Sequence, residues 1–232
     1  MRRVDDMYDY TQALRRSELS RARWRRPAEV SLLGREWTLL PNVFSPADTN
    51  SSLTHLELLD FPVGGSFLEI GSGMGIIAVH AALAGCRSVV ATDLNPAAVE
   101  NTARNAERFG VADRVRCVHS DLFDQLPEHA TFDVVYWHSN NVWTPPSVPL
   151  DNVHALAYVD PGYAAHRRFF QQAPGHRAPG GRVLLAVSSR ASRSDLDELA
   201  ARAGQRLHSV KATTVPEPEG PVVYELLEVV PG

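Results

Sequence analysis

The chain has 232 residues, of which 44% are hydrophobic and 22% charged, with a formal net charge of -4. That length supports one domain with a full core and a short appendage, and the composition excludes wholesale disorder, collagen-like repeats and a coiled-coil rod. No apolar run approaches the ~20 residues that a membrane span needs. The Met1-Arg2-Arg3-Val4-Asp5-Asp6 start is not followed by an apolar signal core, so a cytoplasmic protein without a membrane partner is expected. Cys86 and Cys117 lack zinc-site spacing and read as small buried hydrophobes. Residues 1–26 hold eight arginines against four acids, leaving fifteen basic and twenty-three acidic side chains in the remainder. The acidic body argues against a large nucleic-acid footprint, and with Lys211 as the only lysine the arginines read as codon bias.

In chain order, Asp5 to Arg25 has a loosely helical apolar period at Met7, Tyr10, Leu14 and Leu19, closed by Pro27. Val30 to Leu33 and Trp37 to Leu40 read as a small hairpin about Gly34-Arg35-Glu36. A linker, Asn42 to Asn50, precedes a helix through Leu53, Leu56, Leu58 and Leu59. Short apolar runs then alternate with helical patterns, the sign of a parallel sheet built from βαβ units. The expected strands are Ser66–Ile70, Ser88–Thr92, Val115–His119, Phe132–Trp137 and Arg182–Ser188. The expected helices are Gly75–Ala84, Asn95–Phe109, Tyr163–Gln172 and Asp195–Ala203, and a closing antiparallel hairpin spans Arg206–Thr214 and Val222–Val230.

Between the first of these strands and its helix stands Glu69-Ile70-Gly71-Ser72-Gly73-Met74-Gly75. Without Cβ atoms the backbone turns sharply and admits a ligand, while the following helix offers unpaired N–H groups. The spacing is GxGxG with an acid just before it, which counts against a dinucleotide. Asp93 ends the next strand about twenty residues on, where a carboxylate can accept both hydroxyls of a ribose; the competing reading is an N-cap. After the third strand, Asp121 and Leu122 suit an adenine amino group and ring face, against a simple helix cap.

Together these segments resemble the class I S-adenosylmethionine-dependent methyltransferases over Ser66 to Val230. The resemblance implies a Rossmann-like, seven-stranded, mostly parallel α/β sheet with helices on both faces and an antiparallel C-terminal strand. It implies S-adenosylmethionine as cofactor, with Glu69, Gly71, Ser72, Gly73 and Gly75 at its methionine end, Asp93 and Leu94 at the ribose, and Asp121 and Leu122 at the adenine. No metal is called for.

Two further segments are similar to the HemK/PrmC-like branch, the protein-glutamine N5-methyltransferases and their small relatives. Val43 to Thr49 matches a pre-core signature that folds over the cofactor, which adds Phe44, Pro46 and Thr49 to the cofactor set. Where the branch carries Asn-Pro-Pro-Tyr, this chain reads His138-Ser139-Asn140-Asn141. In the branch, the Asn and the first Pro carbonyl receive hydrogen bonds from the nitrogen to be methylated. The altered tetrad leads to the expectation of a different acceptor, a small-molecule N-nucleophile such as an amino acid, guanidine or specialised metabolite. His138, Asn140 and Asn141 are the candidate catalytic residues, with His138 also touching the cofactor, since an imidazole can take up a proton near neutral pH.

The long connection from Asn140 to Pro161 carries Trp143, His154 and Tyr158, expected to line the substrate side. On this reading residues 1–62 form a helix, hairpin and lid segment, residues 63–232 form the core, and the protein is a monomer or homodimer. Three alternatives remain: a protein-glutamine or RNA N-methyltransferase docking through the arginine-rich end, a non-catalytic cofactor-binding scaffold, and, on weaker grounds, an NAD-dependent enzyme.

Overall fold

The computed structural model describes residues 9–232. The expected helical start with Met7 lies outside them. Helix α1 (Tyr10–Arg23) begins where Asp9 accepts the Thr11 N–H at 2.8 Å, an N-cap that satisfies one of the orphan donors of a helix start. A two-stranded sheet, β1 (Ala28–Leu32) and β2 (Arg35–Leu39), follows in antiparallel register. A 3-10 turn (Pro46–Asp48) then leads into α2 (Ser51–Leu58).

The main body is built from β3 (Ser66–Ile70), α3 (Ile76–Leu83), β4 (Ser88–Asp93), α4 (Pro96–Arg108), β5 (Val115–His119) and β6 (Phe132–His138). After the long connection come α5 (Ala164–Gln172), β9 (Arg177–Ser188), α6 (Arg193–Arg202), β10 (Gln205–Glu217) and β11 (Gly220–Pro231). The seven strands lie in the order β10-β11-β9-β6-β3-β4-β5. β11 runs antiparallel to both β9 and β10, while the pairs from β9 to β5 are parallel.

Both faces of this sheet are covered, which is why its strands read as continuous apolar runs. Successive side chains point to opposite faces. Phe67 and Tyr136 join the core with Trp37, Ile77 and Val79, beneath α3 and the β1–β2 sheet. Their chain neighbours Leu68, Val135 and Trp137 join the other core with Phe169, Phe170 and Leu196, beneath α5 and α6. Each such side chain, fully buried, contributes about 1.5–3 kcal/mol.

The β1–β2 sheet is docked by two asparagines of α4. Asn105 Oδ1 accepts the Thr38 N–H at 2.9 Å, Asn101 Oδ1 accepts the Leu40 N–H at 2.8 Å, and both amides donate back to the Thr38 carbonyl. Buried backbone that lies beyond its own ladder thereby finds partners.

The connection after β6 is more regular than its sequence foretells. β7 (Val142–Thr144) and β8 (Val159–Pro161) form a small parallel sheet, with a 3-10 turn (Val153–Ala157) between them. No described helix is long and apolar enough to cross a membrane.

Candidate active site

The carboxyl ends of β3, β4 and β6 open into a cavity of about 420 Å³. This is where open parallel sheets bind ligands, beside the reversal of strand order. Its first wall is the glycine turn. Gly71 and Gly73 adopt φ values of +69° and +56°, in the left-handed region that glycine enters freely. Gly71 abuts the Trp137 indole, which also lines the cavity.

Asp93 closes this turn from the next strand. Its Oδ2 accepts the Gly73 N–H at 2.8 Å and its Oδ1 accepts the Asn95 N–H at 2.8 Å. Each oxygen keeps a second lone pair for a ligand. The N-cap of α4 is Asn95, whose side chain accepts the Ala97 N–H at 3.1 Å, so capping is not the role of Asp93. Burial raises the Asp93 carboxyl above its ordinary range, against the pull of those two N–H groups.

Glu69 lies at the floor, 2% exposed, with Oε2 lacking any hydrogen-bond partner among the described residues. Burial, aided by the Asp93 charge, drives its carboxyl well above the usual range. Asp121 stands at the rim, where Arg168 Nη1 donates to it at 2.6 Å while Nη2 reaches Asp124 at 2.8 Å. Phe44, Pro46, Thr49, Ser72, Leu94 and Leu122 complete this half of the lining.

On the other half, His138 ends β6, and its ring lies edge-on to His55 with centroids 4.7 Å apart. Burial, then the charge of His55, pushes the His138 imidazole well below its ordinary pKa. Asn140 donates from Nδ2 to the carbonyls of Leu156 at 2.8 Å and Val159 at 2.9 Å. Because both partners only accept, the amide is oriented, and Oδ1 is left buried with no partner among the described residues.

Asn141 lines the cavity too, but its amide is committed to the protein. Nδ2 donates to the Ser139 carbonyl at 3.2 Å and Oδ1 accepts from the Ser188 hydroxyl at 3.0 Å. It holds the strand-end backbone, which departs from the catalytic role expected of it.

His154 and Tyr158 stand in the lining as expected, with His154 Nδ1 2.7 Å from the Ser17 hydroxyl of α1. α1 covers this side of the cavity through Ala13 and Arg16 and is tied down at Asp48. That carboxylate accepts from Ser20 at 2.7 Å, Arg23 at 3.0 Å and the Trp24 indole at 2.7 Å.

Two expected residues lie elsewhere. Gly75, at φ +88°, faces Thr102 of α4, where an added Cβ would sit 2.9 Å from Thr102 Cα. It is a helix-packing glycine and does not line the cavity. Trp143 packs against the core under α5, and Trp137 supplies the aromatic wall. His55, Asn95, Arg168, Arg190 and Tyr224 line the cavity without having been expected. Asn95 directly follows Asp93 and Leu94 in the chain, whereas the tertiary structure brings in the other four.

A family model for ribosomal protein L11 methyltransferase (PrmA) matches residues 47–138. The release factor glutamine methyltransferase of Bordetella pertussis is 33% identical over 169 residues, covering 66% of this chain and 59% of that protein. The protein of the same name from Cereibacter sphaeroides is 32% identical over 175 residues, covering 69% of this chain and 59% of its own length. The chain belongs to the class I S-adenosylmethionine-dependent methyltransferases. Within them it falls in the HemK/PrmC-like branch, though it spans only 59% of the length of these two relatives.

The fold agrees. A Thermus thermophilus 16S rRNA N2 G1207 methyltransferase, solved with AdoMet and guanosine, superposes with a TM-score of 0.63 at 22% identity, covering 89% of this chain and 50% of that one. One expectation is overturned: a small-molecule methyl acceptor does not fit relatives named for methylating a protein.

Proposed function

We propose that this chain transfers a methyl group from S-adenosylmethionine to a nitrogen of a protein side chain, a glutamine amide in the first instance. The residues present fit that cofactor. Glu69 is a buried carboxyl lacking a cationic partner among the described residues, which suits the positively charged methionine end. Asp93 retains lone pairs for the ribose hydroxyls, and Asp121 with the buried Leu122 suits the adenine. When bound, the cofactor supplies an electrophilic methyl on a sulfonium, already a strong leaving group. The protein's task is then chiefly orientation, which can account for most of such an acceleration.

The observation that carries the choice of acceptor is Asn140. A buried carbonyl oxygen without a partner costs about 1–3 kcal/mol. Asn140 Oδ1 is such an oxygen, on an amide locked by two backbone carbonyls, and Asn140 is one of the residues that line the cavity. An acceptor bearing N–H satisfies it; an acceptor oxygen or carbon without a hydrogen to donate does not. His138, which lines the same cavity, offers a second acceptor for a primary amide's other N–H.

The test is transfer of labelled methyl to a peptide-chain release factor by the wild type and by Asn140→Ala. Protein-bound label that falls at least about 100-fold in the variant, with S-adenosylhomocysteine affinity kept, supports the reading. Equal transfer by the variant overturns the role given to Asn140.

A further inference from the structure

Asp121, at the cavity rim, and Asp124 stand on the turn that follows β5, and one cation from another element spans them. We infer that Arg168, on α5, is a positioning residue that clamps this turn and aims the Asp121 carboxylate at the exocyclic amino group of the cofactor's adenine. The inference rests on placing the adenine at Asp121 and Leu122.

The turn is held from several sides. Ser120 donates its N–H to the Asp93 carbonyl at 2.9 Å and accepts the Gln125 N–H on Oγ at 3.0 Å, and the Phe123 ring stacks on His176 with centroids 4.8 Å apart. Within it the buried Leu122 has a φ of +51°, in the left-handed region that a residue with a Cβ enters at a cost. Such backbone persists where its surroundings over-determine it, and it clusters at ligand sites. None of these contacts fixes the Asp121 side chain, which is nearly half exposed. Arg168 does so: Nη1 donates to Asp121 Oδ2 at 2.6 Å, while Nη2 donates to Asp124 Oδ1 at 2.8 Å and reaches the Asp121 carbonyl at 3.5 Å.

Two carboxylates three residues apart in one turn repel each other, and an aspartate at a rim otherwise turns among its rotamers. A planar guanidinium, with its donors in a fixed fork, separates the two and orients both. It projects from a helix that is itself anchored, since Asp160 accepts the Ala165 and His166 N–H groups at the start of α5, at 3.1 and 3.0 Å. The bond from Arg168 engages Oδ2 of Asp121, so Oδ1 is the oxygen offered to a ligand donor. The amino group of adenine is such a donor, and a purine without that group is not. Fixing the carboxylate before the ligand arrives removes an ordering cost from binding. Ion pairs this exposed add little to the stability of a fold, so the effect of Arg168 is expected in ligand selection.

Calorimetry on the full chain compares S-adenosylhomocysteine with its purine analogue, in which hydrogen replaces the exocyclic amino group. The wild type should favour the adenine compound at least about tenfold, as a charge-assisted hydrogen bond allows. In Arg168→Met, which keeps a long apolar stem, the preference should shrink to within about threefold, with Tm and the affinity for the purine analogue nearly unchanged. A preference as large in the variant as in the wild type overturns the inference. An equal loss of affinity for both ligands does so too, because Arg168 would then act without regard to the amino group. Should Arg168→Met fail to fold, Arg168→Lys, whose compact ammonium lacks the planar fork, is read by the same ratio. A wild type that binds both ligands equally would remove the adenine from Asp121, and the inference with it, while leaving methyl transfer to a protein standing. Binding of neither ligand would sink the proposed function as well.

Discussion

Asp93 Oδ2 accepts the Gly73 N–H at 2.8 Å, so the carboxylate ending β4 is locked to the turn that follows β3. One side chain thereby sets both the shape of the glycine turn and the polar rim of the cavity. Replacing Asp93 by Ala removes the turn's anchor and the acceptor for two ligand hydroxyls. With charge-assisted bonds worth about 1.5–3 kcal/mol each, S-adenosylhomocysteine affinity should fall about 100-fold or more by calorimetry. Unaltered affinity would separate Asp93 from cofactor binding.

Gly75 tests the division of labour within the turn. An added Cβ would meet Thr102 Cα and Cγ2 at 2.9 Å, at a φ of +88°. Gly75→Ala should cost about 2–3 kcal/mol and lower Tm by about 5–10 °C. The folded fraction should keep its S-adenosylhomocysteine affinity, because Gly75 lies outside the cavity lining. Lost affinity with an unchanged Tm would reverse that assignment.

His154 gives a pH dependence of known sign. Burial depresses its pKa from the ordinary 6.5 to about 4, so it is neutral in the folded state across that interval while the unfolded chain binds a proton. Its stabilising contribution is therefore present above pH 6.5 and lost as pH falls toward 4. Glu69, raised by burial, works in the opposite direction, so the clean readout is a difference. Between pH 6 and 4.5, His154→Gln should flatten the urea-stability slope by up to about 1.4 kcal/mol per pH unit. Parallel slopes for variant and wild type would contradict the buried neutral state.

Sequence periodicity was sufficient for the sheet because its strands are short apolar runs bounded by glycine, proline or a helix start. Ser66–Ile70 and Val115–His119 agree with β3 and β5 to the residue. β7 and β8 were illegible, since three-residue strands are too short to repeat the two-residue alternation and their pairing joins residues seventeen apart, Val142 with Val159. The half of the cavity lined by the glycine turn was readable because one turn and three strand ends supply it from contiguous segments. Gly75 looked equivalent to Gly71 and Gly73 in sequence, yet its neighbour is Thr102, almost thirty residues away. His55, Arg190 and Tyr224 reach the cavity from α2, the turn after β9 and β11, and no local signal marks them. The acceptor was misjudged for a related reason. Asn140 was already a candidate from its place in the tetrad, and the carbonyls of Leu156 and Val159 show how its amide is oriented; what the sequence patterns did not carry is the class of acceptor, which the relatives named for methylating a protein correct.

The most direct test of methyl transfer to a protein amide is the chemical form of the transferred label. The chain is incubated with methyl-labelled S-adenosylmethionine and a purified release factor, and the recovered protein is hydrolysed in acid. Cleavage of an N-methylated glutamine amide releases labelled methylamine, which is the predicted result. Label recovered as methyl-lysine, or none on the protein while S-adenosylhomocysteine still binds, would contradict the account.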